Sequence, residues 1–178
     1  MTALQLRVCA PAAALAVTAV LAAAAPVPAT PRSTASTEFS CVASTQSAVS
    51  PGATTKISSF RFTSAGKQTS SCTGRINGVE IKQGRAVVTY AGRLHGSCLL
   101  GAGTAALTIK APVRGGGYRV VNTPYTLDYV AVPGGSGAVG TVHGRGLDGS
   151  FAFTPSRGDC VSEPLTLANV SLAFTYVR

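Results

Sequence analysis

The chain has 178 residues, a net charge of +9, no tryptophan, two histidines and six acidic residues. Once an export segment is set aside, that length supports one domain and leaves no room for two. So few acids and histidines leave little material for a metal cluster or for paired-carboxylate catalysis, while the excess of Lys and Arg favours anionic company.

The first residues carry one positive charge, Arg7, followed by an apolar run from Val8 to Ala25 built mostly of Ala, Val and Leu. This reads as the n-region and h-region of a secretory signal, with small-x-small cleavage sites after Ala25 and after Ala29. The second is preferred, because Pro26 would directly follow the first. A membrane anchor is the competing reading, since the run approaches spanning length. Its Ala richness and the proline-broken stretch 26–31 argue for cleavage. Residues 1–29 are therefore expected to be a signal peptide, 30–37 a disordered polar leader of Ser, Thr, Pro and Arg, and 38–178 an all-β domain, secreted and free of the membrane after cleavage.

Cys9 falls in the discarded segment, which leaves Cys41, Cys72, Cys98 and Cys160. An even number in an exported chain argues for two disulfides. Three connectivities are open; Cys41 with Cys72 and Cys98 with Cys160 is favoured, because chain neighbours tend to become sheet neighbours. Zinc fits poorly, as no Cys-x-x-Cys pair exists.

From Phe39 onward, short alternating segments are separated by Gly, Pro and Asn, with no helical period. They are 39–43, 55–63 with Phe60 and Phe62 inward, the Cys72 region, 85–91 with Val88 and Tyr90 inward, and 105–111 with Leu107 and Ile109 inward. Next come 117–122, 125–132 with Tyr125, Leu127 and Tyr129 on one face, 138–145, 150–154 with Phe151 and Phe153 inward, and 170–176. Turns are expected at Asn77-Gly78, Gln83-Gly84, Gly115-Gly116-Gly117, Pro133-Gly134-Gly135 and Asp148-Gly149, the last marking a hairpin. About nine strands at this spacing mean one antiparallel β-barrel or β-sandwich, and the Gly-rich strands suit the bends of a barrel. Tyr118, Tyr125 and Tyr129 are all expected in the core.

Cys72-Thr73-Gly74, Asn77-Gly78, Gly96-Ser97-Cys98, a Gly-rich hairpin, and Gly158-Asp159-Cys160 before a final Thr-rich apolar strand occur in this order. The pattern resembles four-cysteine small secreted β-proteins of high-GC Gram-positive bacteria. The resemblance covers most of the chain after the signal. It implies a compartment and a fold, and no chemistry.

Catalysis needs a titratable group held against a partner. His95 and His143 are the two histidines, both in Gly-flanked strand contexts. Ser97 lies two residues beyond His95, and Asp128 or Asp148 would have to complete a triad; the Gly-x-Ser-x-Gly elbow is absent. Exposed strand histidines are the plainer reading. Asp159 and Glu163, the closest acids, flank Cys160 in a loop that its disulfide would pin. The strings Gly144 to Gly149, Arg157-Gly158-Asp159 and Asn169-Val170-Ser171 match a dinucleotide fingerprint, an adhesion tripeptide and a glycosylation sequon. Strand contexts and chance account for each.

The sequence thus points to a secreted, monomeric, non-enzymatic β-domain that binds an anionic cell-wall polymer or an acidic protein. It implies no cofactor, no metal, no catalytic residue and no specific nucleic acid. An extracellular hydrolase using His95 or His143, and a protease inhibitor presenting the loop from Gly158 to Pro164, are the alternatives.

Overall fold

In the computed structural model, residues 36–82, 86–134 and 136–178 are described. The expected signal, its cleavage sites, Cys9, most of the polar leader and the Gln83-Gly84 turn lie outside them. The described residues form nine strands and no helix: β1 (Glu38–Ala53), β2 (Ser58–Ile76), β3 (Val79–Glu80), β4 (Val87–Gly96), β5 (Leu100–Pro112), β6 (Tyr118–Ala131), β7 (Ala138–Gly144), β8 (Leu147–Arg157) and β9 (Leu165–Val177).

All the strands belong to one antiparallel sheet in the order β1-β9-β8-β7-β6-β5-β4-β2-β3, and β1 also pairs with β2. The pairings of the eight long strands therefore run in a circuit. From Val49 the register partners are Phe62, Gly92, Ala105, Tyr125, Gly144, Leu147, Tyr176 and then Phe39, ten residues earlier on the starting strand. Such a stagger is what closing a twisted sheet on itself requires. The seam is uneven. β2 joins β4 over only six pairs, from Ser58–Gly96 to Thr63–Ala91. Beyond them β2 pairs with β3, and residues 80–82 reach across to 112–114 through an Ile81–Val113 bridge and two backbone hydrogen bonds. The sheet is thus not an evenly zipped barrel.

Alternation sets what each strand buries. Leu107, Ile109 and Ala111 of β5, Tyr125, Leu127 and Tyr129 of β6, and Leu172, Phe174 and Tyr176 of β9 all enter one core, where the Phe39 ring stacks on Tyr176 at 5.3 Å. Cys41 and Cys72 are direct register partners on β1 and β2 and are bonded. Cys98, in the β4–β5 turn, is bonded to Cys160 in the loop before β9. The favoured pairing is the one found, and two disulfides fit an oxidising compartment.

Several expectations need correction. Segments 117–122 and 125–132 are one strand, because Pro124 faces outward and does not interrupt pairing. Continuity puts Tyr118 an odd number of residues from Tyr125, hence on the opposite face. It is exposed, with the Lys110 ammonium 4.8 Å over its ring, and does not enter the core. The hairpin expected at Asp148-Gly149 turns instead at Arg145-Gly146, where Gly146 adopts φ +77°. Asp148 and Gly149 lie inside β8 opposite His143 and Val142, and a Cβ on Gly149 would overlap the Ala173 carbonyl. The polar leader stops short of Thr37. That residue is buried, exchanges backbone hydrogen bonds with Arg178, and accepts from the Asn77 amide at 2.9 Å.

Candidate functional site

The outer face carries what the core excludes. Arg61, Arg93, Thr104, Thr126, His143 and Asp148 are successive register partners across β2, β4, β5, β6, β7 and β8. All six are exposed. With strands about 4.8 Å apart, the row from Arg61 to His143 spans roughly 19 Å. Two shallow concavities on this face share Arg93 and Thr104. One extends to Pro51, Ser59 and His95, the other to Pro124 and His143. Together they make one groove across the strands.

Its electrostatics are unequal along its length. Arg61 and Arg93 face each other directly, a like-charge arrangement that an isolated sheet disfavours. Among the described residues the ion pairs are Arg114 with Glu80 at 3.2 Å and His143 with Asp148 at 2.8 Å; neither groove arginine has an acid within 4.0 Å. At the other end Asp148 holds His143, and Asp128 accepts from Thr141 at 2.8 Å. The groove therefore runs from a cationic end at Arg61 and Arg93 to a mixed end at His143.

The two histidines do not share a site. His95 Nδ1 lies 3.2 Å from Ser59 Oγ, its register partner on β2. Ser97 does not join it, because β4 ends at Gly96 and the chain turns. The Ser97 side chain is buried and accepts from the Leu99 amide at 3.1 Å, while its carbonyl accepts from the Tyr129 hydroxyl. His143 does meet a carboxylate, but that pair is wholly on the surface and no serine or cysteine among the described residues hydrogen-bonds to it. No group of three metal-ligating side chains occurs among the described residues.

Asp159 has a structural task. Its Oδ1 accepts from the amides of Val161, Ser162 and Glu163 at 2.9, 2.7 and 3.0 Å, and its Oδ2 from the Ser162 hydroxyl at 2.5 Å. These donors, the Ser162 hydroxyl foremost, hold the carboxyl well below the usual carboxylate range. Its oxygens are thus occupied within the loop, a structural role that replaces the adhesion reading of Arg157-Gly158-Asp159. The fingerprint at Gly144 to Gly149 opens a strand, not a helix, so its amides make no phosphate cradle. Asn169 lies in β9 and accepts from Gln46 at 3.4 Å.

Sequence reasoning found both histidines and Asp159 but missed the arginine pair. Arg61 alternates outward in its expected segment, but Arg93 lies two residues beyond the expected strand 85–91, and only the longer β4 and its pairing with β2 set one against the other. No protein-family model matches this chain, and comparison with curated proteins and with solved structures likewise gives no match, so the groove is read from its own residues.

Proposed function

We propose that this is a secreted, non-enzymatic β-barrel domain that binds an anionic extracellular polymer or acidic protein along the outer groove. One observation carries the reading: two directly opposed arginines, Arg61 and Arg93, with no acidic neighbour among the described residues. Such a pair tolerates its repulsion in the free protein and gains when an anion lies between the two guanidinium groups, whose planar donors suit phosphate or carboxylate. The Thr104 hydroxyl continues the row with a neutral donor, while that of Thr126 is held by the His143 carbonyl at 3.1 Å. The resemblance to secreted four-cysteine β-proteins and the two disulfides support the compartment.

The test uses inorganic polyphosphate as a soluble polyanion, with binding followed by calorimetry across a salt series. R61T/R93T is expected to weaken binding at least tenfold and to lower the salt slope by about 2, one counterion for each charge removed. R119Q/R157Q removes the same charge away from the groove and should do much less. Equal losses in the two double variants would reduce the interaction to net charge and sink the proposal.

A second reading, protease inhibition, is favoured by the loop from Gly158 to Pro164. It is braced by Cys160 and the Asp159 hydrogen bonds, and presents Val161 at 83% exposure. Inhibition of a protease panel that V161D abolishes would support it.

A further inference from the structure

A second pair of register partners borders the two arginines. Arg61 faces Arg93 across β2 and β4, and two residues along the same strands Ser59 faces His95. Residues two apart share a face, so the four outward side chains form a block about 5 Å across the strands and about 7 Å along them. All four are exposed and line one concavity.

The charges around this block are one-sided. Among the described residues no acid lies within 4.0 Å of Arg61, Arg93 or His95. The neighbours from β1 and β5 that share the concavity, Ser50 and Thr104 among them, are uncharged, and Lys56 in the β1–β2 loop is a further cation. The nearest acid in the His95 row is Asp128 on β6, beyond Ala102, and its carboxylate accepts from Thr141 at 2.8 Å. The other histidine differs: a charge formed on His143 is met by Asp148 at 2.8 Å.

His95 Nδ1 lies 3.2 Å from Ser59 Oγ, and what this pair can offer a ligand depends on its protons. With a neutral ring, either the Ser59 hydroxyl donates to Nδ1, or Nδ1–H donates to Ser59 and leaves a lone pair on Nε2. Each arrangement leaves one donor free. When the ring is protonated, Nδ1–H donates to Ser59, so the Ser59 hydroxyl and Nε2–H are both free and a positive charge is added. A carboxylate has two oxygens, which one guanidinium fork satisfies. A sulfate or phosphate monoester presents three, enough to engage both arginines and the Ser59–His95 pair together.

We propose that Ser59, Arg61, Arg93 and His95 form a subsite for one sulfate or phosphate monoester group, and that the subsite takes that group most tightly when His95 is protonated. It rests on the outer-groove reading and narrows the partner from anions in general to esters with three terminal oxygens.

The experiment is calorimetric titration of the intact protein, H95Q and H143Q with dextran sulfate at pH 8 and pH 5.5, on either side of the ordinary imidazole range. Sulfate esters keep their charge throughout. The native chain should bind about fivefold more tightly at pH 5.5, the worth of one exposed charge pair, with proton uptake and a salt slope steeper by about 1. H95Q should lose that gain and match the native chain at pH 8, while H143Q should keep it. Polygalacturonate, a carboxylate polymer, should gain little. Dextran phosphate at pH 5.5 tells the two esters apart, and the tighter of the two should lose more on H95Q. Failure of both ester polymers to bind at either pH would remove the groove reading and the subsite together. Binding that ignores pH, a gain that survives in H95Q or vanishes in H143Q, or an equal gain with polygalacturonate would overturn the subsite alone.

Discussion

Replacing Arg93 with threonine separates stability from binding at the outer groove. The two guanidinium groups extend from residues paired directly across β2 and β4. Taking them as about 8 Å apart in solvent, their repulsion is about 0.5 kcal/mol at low salt. One Debye length of screening at physiological ionic strength reduces it to about 0.2 kcal/mol. Thr is also a good strand residue and matches Thr104 on the next strand. R93T should therefore be more stable than the native chain, by roughly 1–2 °C in Tm at low salt, with the electrostatic part fading as NaCl is added. R93K keeps the charge and should show no salt-dependent gain. With saturating polyphosphate the order reverses, because a ligand that binds only the folded state raises Tm more for the tighter binder. Differential scanning calorimetry at 10 and 300 mM NaCl, with and without polyphosphate, reads all four conditions. A Tm that falls on R93T at low salt, or a polyphosphate increment equal in R93T and the native chain, would refute the opposed-arginine reasoning.

Tyr90 is buried and its hydroxyl makes no hydrogen bond among the described residues, so Tyr90→Phe should raise stability by about 1 kcal/mol, measured by urea unfolding, because the ring packing is kept. For Asp159 the folded-state pKa lies below its unfolded value, so its contribution is complete above about pH 4 and is lost as pH falls toward the folded value. Asp159→Ala should flatten that acid limb and speed amide exchange at Val161, Ser162 and Glu163. Opening the Cys98–Cys160 bridge, whose cysteines are 62 residues apart, releases denatured-state entropy worth roughly 4 kcal/mol in the chain-entropy model. C98S/C160S should unfold at much lower denaturant with little change in the strand signal before the transition. H95A/H143A, which removes the two histidines lining the groove, should weaken polyphosphate binding far less than R61T/R93T does; an equal loss, or loss of an ester-hydrolysing activity, would move the site to the His143–Asp148 pair.

The candidate sites were legible to different depths. Asp159 stood out in sequence as an acid beside Cys160, but its meaning changed once three backbone amides were found to converge on it. The His143–Asp148 pair was hidden by a misplaced turn: with Asp148-Gly149 taken as the hairpin loop, Asp148 could not be seen as the cross-strand partner of His143. Gly146, three residues earlier than Gly149, takes the positive φ, and both dipeptides end in glycine. Tyr118 was misjudged because a proline was read as a break between two strands, and parity does not carry across a break.

The period of two in residues such as Leu107 and Ile109, or Phe174 and Tyr176, by itself determined that the chain forms strands and which side of each is dry. The four cysteines after the apolar run set the number of bridges at two, and the structure supplied their pairing. Those are local or countable properties of the chain. Which outward residues become neighbours depended on pairing between segments far apart: Arg61 meets Arg93 only through the β2–β4 register, and β1 meets β9, at the other end of the chain, only because the sheet returns on itself ten residues short of its start. What the Tyr90 hydroxyl meets was decided later still, since that depends on where every inward side chain around it is placed.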